Sequence, residues 1–131
     1  MRSEIRALRT QALAYPGAHE DFPWGERVIK VKNKVFVFLG TDEGATWGLS
    51  VKLPQSCEAA LMLPFAEPTG YGLGKAGWIT ARFDAGDAAP LPLLREWLLE
   101  SYRAVAPVTL RKQLDGEPAR AAKPRGRKKP G

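Results

Sequence analysis

The sequence predicts an α+β domain, an antiparallel sheet with helices packed on one of its faces. Three observations lead there. Segments with the two-residue period of half-buried strands lie between segments with helical period. Turn residues separate consecutive strands closely enough for hairpins rather than crossovers. Finally, the strands alternate apolar with polar residues, so one sheet face is buried and the other is not.

Taken in order, residues 3–14 read as an amphipathic helix, with Ile5, Leu8, Ala12 and Leu13 at helical spacing and Ser3 as N-cap. Pro16-Gly17 stops it. Residues 19–27 read as a loop rich in Pro, Gly and acids, in which Phe22-Pro23-Trp24-Gly25 plugs the end of the core. Strands are expected at 28–32 and 35–39, joined at Asn33, and a third at 46–52 after a turn at 40–45. Leu53-Pro54 opens a short helix reaching about Met62, and Pro64 and Pro68 bracket a loop. A Gly-rich stretch, 70–77, leads into a strand at 78–83; a turn and a last helix over 92–105 follow. Leu110 and Leu114 are expected to pack back loosely. On the strand faces, Trp47, Leu49 and Val51 oppose Thr46, Gly48, Ser50 and Lys52, while Ile79, Ala81 and Phe83 oppose Trp78, Thr80 and Arg82. Lys30 and Lys32 share a face of the first strand.

The 131 residues give room for one domain, 1–114, and a tail, 115–131. No bulky apolar residue follows Leu114, so the tail is expected to be disordered. Of the formal charge of +6, the tail carries +4, from six basic and two acidic residues. The other 114 residues are therefore close to balanced, with 14 basic and 12 acidic groups. A single cysteine rules out an intramolecular disulfide. With no signal peptide or membrane-length apolar run, a cytoplasmic monomer is the expectation, with nucleoid association as the alternative.

Few residues suit catalysis. His19 and Cys57 are the only imidazole and thiol, far apart in sequence, and Cys57 reads as a buried structural thiol. Glu20 and Asp21 read as solvated loop charges rather than an acid/base pair. No spacing fits a metal site or a cofactor, and Gly70-Tyr71-Gly72-Leu73-Gly74-Lys75-Ala76 fails both as a phosphate loop and as a dinucleotide fingerprint. The expectation is a protein that is not an enzyme.

The tail segment Lys123-Pro124-Arg125-Gly126-Arg127-Lys128-Lys129-Pro130 resembles an AT-hook, departing from it at Lys128. Its glycine would pass over the minor-groove floor while Arg125 and Arg127 follow the negative walls of A·T tracts. The other reading is a solubilising basic tail.

Read together, Pro16-Gly17, Pro23-Trp24-Gly25, Lys34 with Phe36, the run from Leu49 to Pro54, the run from Gly70 to Thr80, and Ser101-Tyr102 with Val105 resemble the MmcQ/YjbR family of small bacterial proteins. The resemblance implies a CyaY-like (frataxin-like) fold and DNA binding through a double-wing arrangement of hairpins, with no catalytic activity. The positions that match are Lys34, Lys52, Lys75 and Trp78. The leading expectation is therefore a DNA-binding protein that uses Arg125, Arg127, Lys128 and Lys129 in the tail and Lys34, Lys52, Lys75 and Arg82 in the domain. Trp78 and Tyr71 are recognition aromatics on this reading. The alternatives are a protein-interaction module that needs an exposed Trp78 ring, and an anionic-ligand pocket around Tyr71, Lys75 and Lys52.

Overall fold

The computed structural model describes residues 3–23, 26–40, 46–70 and 73–116. Helix α1 (Ser3–Ala14) is followed by strands β1 (Ala18–Asp21), β2 (Arg27–Val31), β3 (Lys34–Leu39) and β4 (Thr46–Lys52). Then come helix α2 (Cys57–Leu61), strand β5 (Ala66–Pro68), a 3-10 turn (Leu73–Ala76), strand β6 (Trp78–Asp84) and helices α3 (Leu91–Val105) and α4 (Val108–Leu114). The strands form one antiparallel sheet in the order β1-β2-β3-β4-β6-β5. This is the α+β architecture expected. No helix among the described residues is long and apolar enough to cross a membrane.

Helices α1 and α3 lie against each other and against the sheet, and α2 covers the β5–β6 end. On this inner face, Tyr15, Phe36 and Tyr102 form one aromatic group, with the Phe36 and Tyr102 rings edge-to-face at 5.3 Å. Trp47, Phe83, Phe65 and Trp97 form a second. Ile5, Leu8, Leu94 and Leu98 are fully buried between the two layers, where non-directional apolar burial is the main stabilising force.

Five expectations need correction. Residues 18–21 are an edge strand, because Ala18 to Asp21 pair with Val31 back to Val28. Glu20 and Asp21 are accordingly not unpaired loop charges: half-buried Glu20 takes Arg9 at 2.7 Å, and Asp21, still exposed, takes Lys30 at 2.9 Å. Lys32 belongs to the turn, since both it (φ 52°) and Asn33 (φ 67°) are left-handed, as a two-residue type I′ hairpin turn requires. Residues 66–68 are a strand, paired with β6 despite the flanking prolines; Pro68 is tolerated because β5 is the sheet edge. The short helix begins only at Cys57: the Glu100 carboxylate accepts the Gln55 and Ser56 amides and the Ser56 hydroxyl, which holds the preceding residues in a turn. As expected, Leu110 and Leu114 pack back against the core, partly buried, and they do so from a helix, α4.

The last of these closes one end of the molecule. Gly17 has φ +74°, and a Cβ there would lie 2.8 Å from Leu110 Cδ1, so glycine fits the junction for two reasons. The Tyr102 hydroxyl donates to the Pro16 carbonyl at 2.6 Å and pins the same turn to α3.

Candidate functional site

Register places the outer-face residues in rows across the strands. One row runs Val28, Phe38, Ser50, Thr80 and Glu67, each paired with the next. The Ser50 and Thr80 hydroxyls are 2.7 Å apart, and Thr69 Oγ1 joins Thr80 Oγ1 at 2.9 Å. Two residues along, toward one end of the sheet, Lys52 pairs with Trp78.

The end of the sheet beyond that row carries the lysines. Antiparallel pairing brings the start of β3, the end of β4 and the start of β6 to the same edge of the molecule. Lys34 therefore lies at the base of the β2–β3 turn, Lys52 at the end of β4, and Lys75 in the 3-10 turn that leads into β6. Leu53 donates its amide to the Gly77 carbonyl at 2.8 Å, which ties the end of β4 to that turn. Lys34 and Lys75 are exposed and Lys52 half-exposed. Among the described residues none of the three has an ion pair. Lys32, exposed at the tip of the hairpin, adds a fourth cation. Sequence reasoning missed it by placing it in a strand; the signal available was the Lys32-Asn33 pair, two residues that fit a type I′ turn only if both turn left-handed.

Several cations elsewhere are matched. Arg9 and Arg27 converge on Glu20, at 2.7 and 3.3 Å, and the hydrogen bond from Arg9 holds the Glu20 carboxyl below the usual carboxylate range. Lys30 holds Asp21, and Arg103 holds Asp115. Like these, Arg82 is paired, though loosely, with Glu67 at 3.7 Å. It also lies four residues along β6 from Trp78, about 13 Å at the usual strand rise. The structure thus places Lys34, Lys52 and Lys75 at one end of the sheet and leaves Arg82 apart from them.

The aromatic expectations divide. Trp78 is only 8 % exposed, its ring edge-on to Phe38 at 5.3 Å, so it is not an exposed recognition surface. Its position on the polar face does not expose it, because Phe38 from the second strand over packs against it. Tyr71 and the tail residues Arg125, Arg127, Lys128 and Lys129 lie outside the described residues, as do Trp24 and Gly25. His19 is on β1 at one sheet edge, whereas Cys57 is on α2, which packs on β5 and β6 at the other, so the two do not form a pair. Among the described residues no group of three His, Cys, Asp or Glu is placed to hold a metal.

The lysine end is held in shape by α3. After Val37 and Val51 the β3–β4 ladder stops. The next rung would join Phe36 to Lys52. In its place the fully buried Ser101 hydroxyl donates to the Phe36 carbonyl and accepts the Lys52 amide at 2.8 Å. Phe36 has no partner on β2 either, because the β2–β3 register shifts there. The bulge lets Phe36 and Val37 both be buried, and the serine satisfies the backbone groups it leaves open.

Comparison with known families gives one match: the family model described as YjbR covers residues 13–104, more than two-thirds of the chain. No curated protein matches the chain.

Proposed function

The chain belongs to the YjbR family, and from that premise we propose that it is a non-enzymatic protein that binds DNA through the lysine end of its sheet and through its basic tail. The observation that carries this is a contrast in pairing among the cations of the sheet. Arg27 and Lys30 are each held by a carboxylate and Arg82 touches one loosely, whereas Lys34, Lys52 and Lys75, from three separate elements, lie at one end of the sheet without ion pairs among the described residues. Uncommitted cations are what a phosphate backbone recruits, since each phosphate neutralised releases condensed counterions. The β2–β3 hairpin and the turn at Leu73–Ala76 flank the end of β4 on either side, which suits a backbone lying across that edge. In the tail, Arg125, Arg127, Lys128 and Lys129 add a second cluster in sequence, with the AT-hook-like spacing that favours an A·T minor groove.

The test is fluorescence anisotropy with A·T-rich and G·C-rich duplexes over a salt series, comparing the chain with its Lys34→Gln/Lys52→Gln/Lys75→Gln variant. Log K against log salt has a slope of about −0.9 per phosphate contact, so loss of three contacts makes it shallower by about 2.7. An unchanged slope removes the domain from the interface.

A further inference from the structure

A second feature of the outer face lies away from the lysines. One register row beyond Ser50 and Thr80, Gly48 pairs with Arg82, and the Gly40 amide donates to the Gly48 carbonyl at 2.9 Å. Glu26 stands one step beyond the Arg27–Leu39 pair, next to Gly40. Across four strands the row therefore reads Glu26, Gly40, Gly48, Arg82: a carboxylate, two residues without side chains, and a guanidinium. The result is a depression of about 410 Å³ lined by these four residues together with Phe38, Leu73 and the hydroxyls of Ser50, Thr69 and Thr80. That volume falls within the range of about 300–1,000 Å³ usual for small-molecule sites.

The floor cannot be filled by the strands themselves. A Cβ at Gly48 would lie 2.2 Å from the Ala81 carbonyl oxygen, and one at Gly40 2.8 Å from that of Gly48. Glu26 is exposed and has no ion pair among the described residues; Arg82 has only its 3.7 Å contact with Glu67. The three hydroxyls, linked by two hydrogen bonds, hold three protons. Two are used within the row, which leaves one O–H to donate and several lone pairs to accept.

We propose that this depression is a binding site for a short zwitterionic peptide, its ammonium toward Glu26, its carboxylate toward Arg82 and its amide on the hydroxyl row. Charge of opposite sign at the two ends selects a dipolar ligand over a simple anion or cation. A row that can both donate and accept matches an amide group, and Phe38 and Leu73 offer an apolar side chain a wall. Glu26 and Arg82 are three inter-strand steps apart, about 14 Å between Cα atoms. Both residues line the depression, and two extended residues span about 7 Å of the gap between them. The site is independent of the DNA reading, since it uses none of the lysines.

The experiment is a titration of the ¹⁵N-labelled full chain with the dipeptide Ala-Phe, its N-acetylated form and its C-terminal amide. Ala-Phe is expected to shift the amides of Gly48, Ser50, Thr80 and Arg82, and blocking either terminus to weaken it about tenfold, the worth of one exposed charge-assisted contact. Glu26→Gln should abolish discrimination against the acetylated form while keeping that against the amide; Arg82→Gln should do the reverse. Both side chains are exposed, so both variants should fold, which their amide spectra verify. Shifts confined to other surfaces, equal binding of all three peptides, or no shift at the highest soluble concentration would each overturn the proposal.

Discussion

A single hydroxyl group decides the geometry of the lysine edge. Ser101 stands between Phe36 and Lys52 where the β3–β4 ladder has no rung of its own. Replacing it with alanine leaves a buried carbonyl and an amide without partners, which costs about 1–3 kcal/mol. Urea denaturation of Ser101→Ala should show that loss as a lower midpoint at unchanged m-value. Because the same bond fixes the Lys52 backbone, DNA affinity should fall as well, although no charge is removed; an unaltered affinity would mean that the lysine edge tolerates a loosened strand. Neighbouring Glu100 and Tyr102 do comparable work on α2 and on the Pro16 turn, so three consecutive residues of α3 each fasten a different element. The sequence placed Ser101 and Tyr102 on the last helix and among the residues that carry the family resemblance. It could not show that a polar side chain there was the partner of a bulge carbonyl 65 residues away.

At the scale of elements, the edge strand β1 depends on charge where it lacks a second neighbour. Arg9 on α1 and Arg27 on β2 both reach Glu20, joining a helix and two strands through one carboxylate. The hydrogen bond from Arg9 is the main reason that the Glu20 carboxyl is depressed below its ordinary range. A group whose folded pKa is depressed stabilises the fold above its unfolded value and loses that contribution as pH falls through the folded value. Glu20→Gln should therefore be less stable than the parent chain at neutral pH. The difference should close as pH falls below the usual carboxylate range, as read from thermal midpoints over a pH series. A gap that persists in acid would show that the ion pairs are not its cause. The segment containing Glu20 was expected to be a loop, because Pro, Gly and acids are poor strand formers. Pairing with β2 and the two arginines override that propensity, and neither partner is local in sequence.

For the whole molecule, the division of charge matters more than its sum. The tail's net +4 and the domain's near balance describe two different surfaces. At one end of the sheet Lys34, Lys52 and Lys75 have no ion pair among the described residues. If both bind DNA, they contribute to the salt dependence separately, because they touch different phosphates. Arg125→Ala/Arg127→Ala should therefore make the log K–log salt slope shallower by about 1.8 and reduce any preference for A·T duplexes. Combined with the triple lysine variant, the two slope changes should add. A tail variant that alters neither the slope nor the preference would leave the tail without a role in binding.

The sequence by itself determined the strand and helix periodicities, the apolar face of each central strand, the α+β class and the concentration of net positive charge in residues 115–131. These are local properties, set by side-chain alternation and by Pro and Gly punctuation, and they hold whatever the chain packs against. The family was legible too, through short runs such as the one from Gly70 to Thr80. Tertiary structure alone decided which cations are free. Lys34, Lys52, Lys75 and Arg82 look equivalent along the chain, yet register puts the first three on one edge and places Arg82 beside Glu67. It also buried Trp78, whose polar-side position suggested exposure, against a ring two strands away. The physical reason is the same in each case: burial and ion pairing depend on distances between strands far apart in sequence, and one residue's change of register moves a side chain to the opposite face.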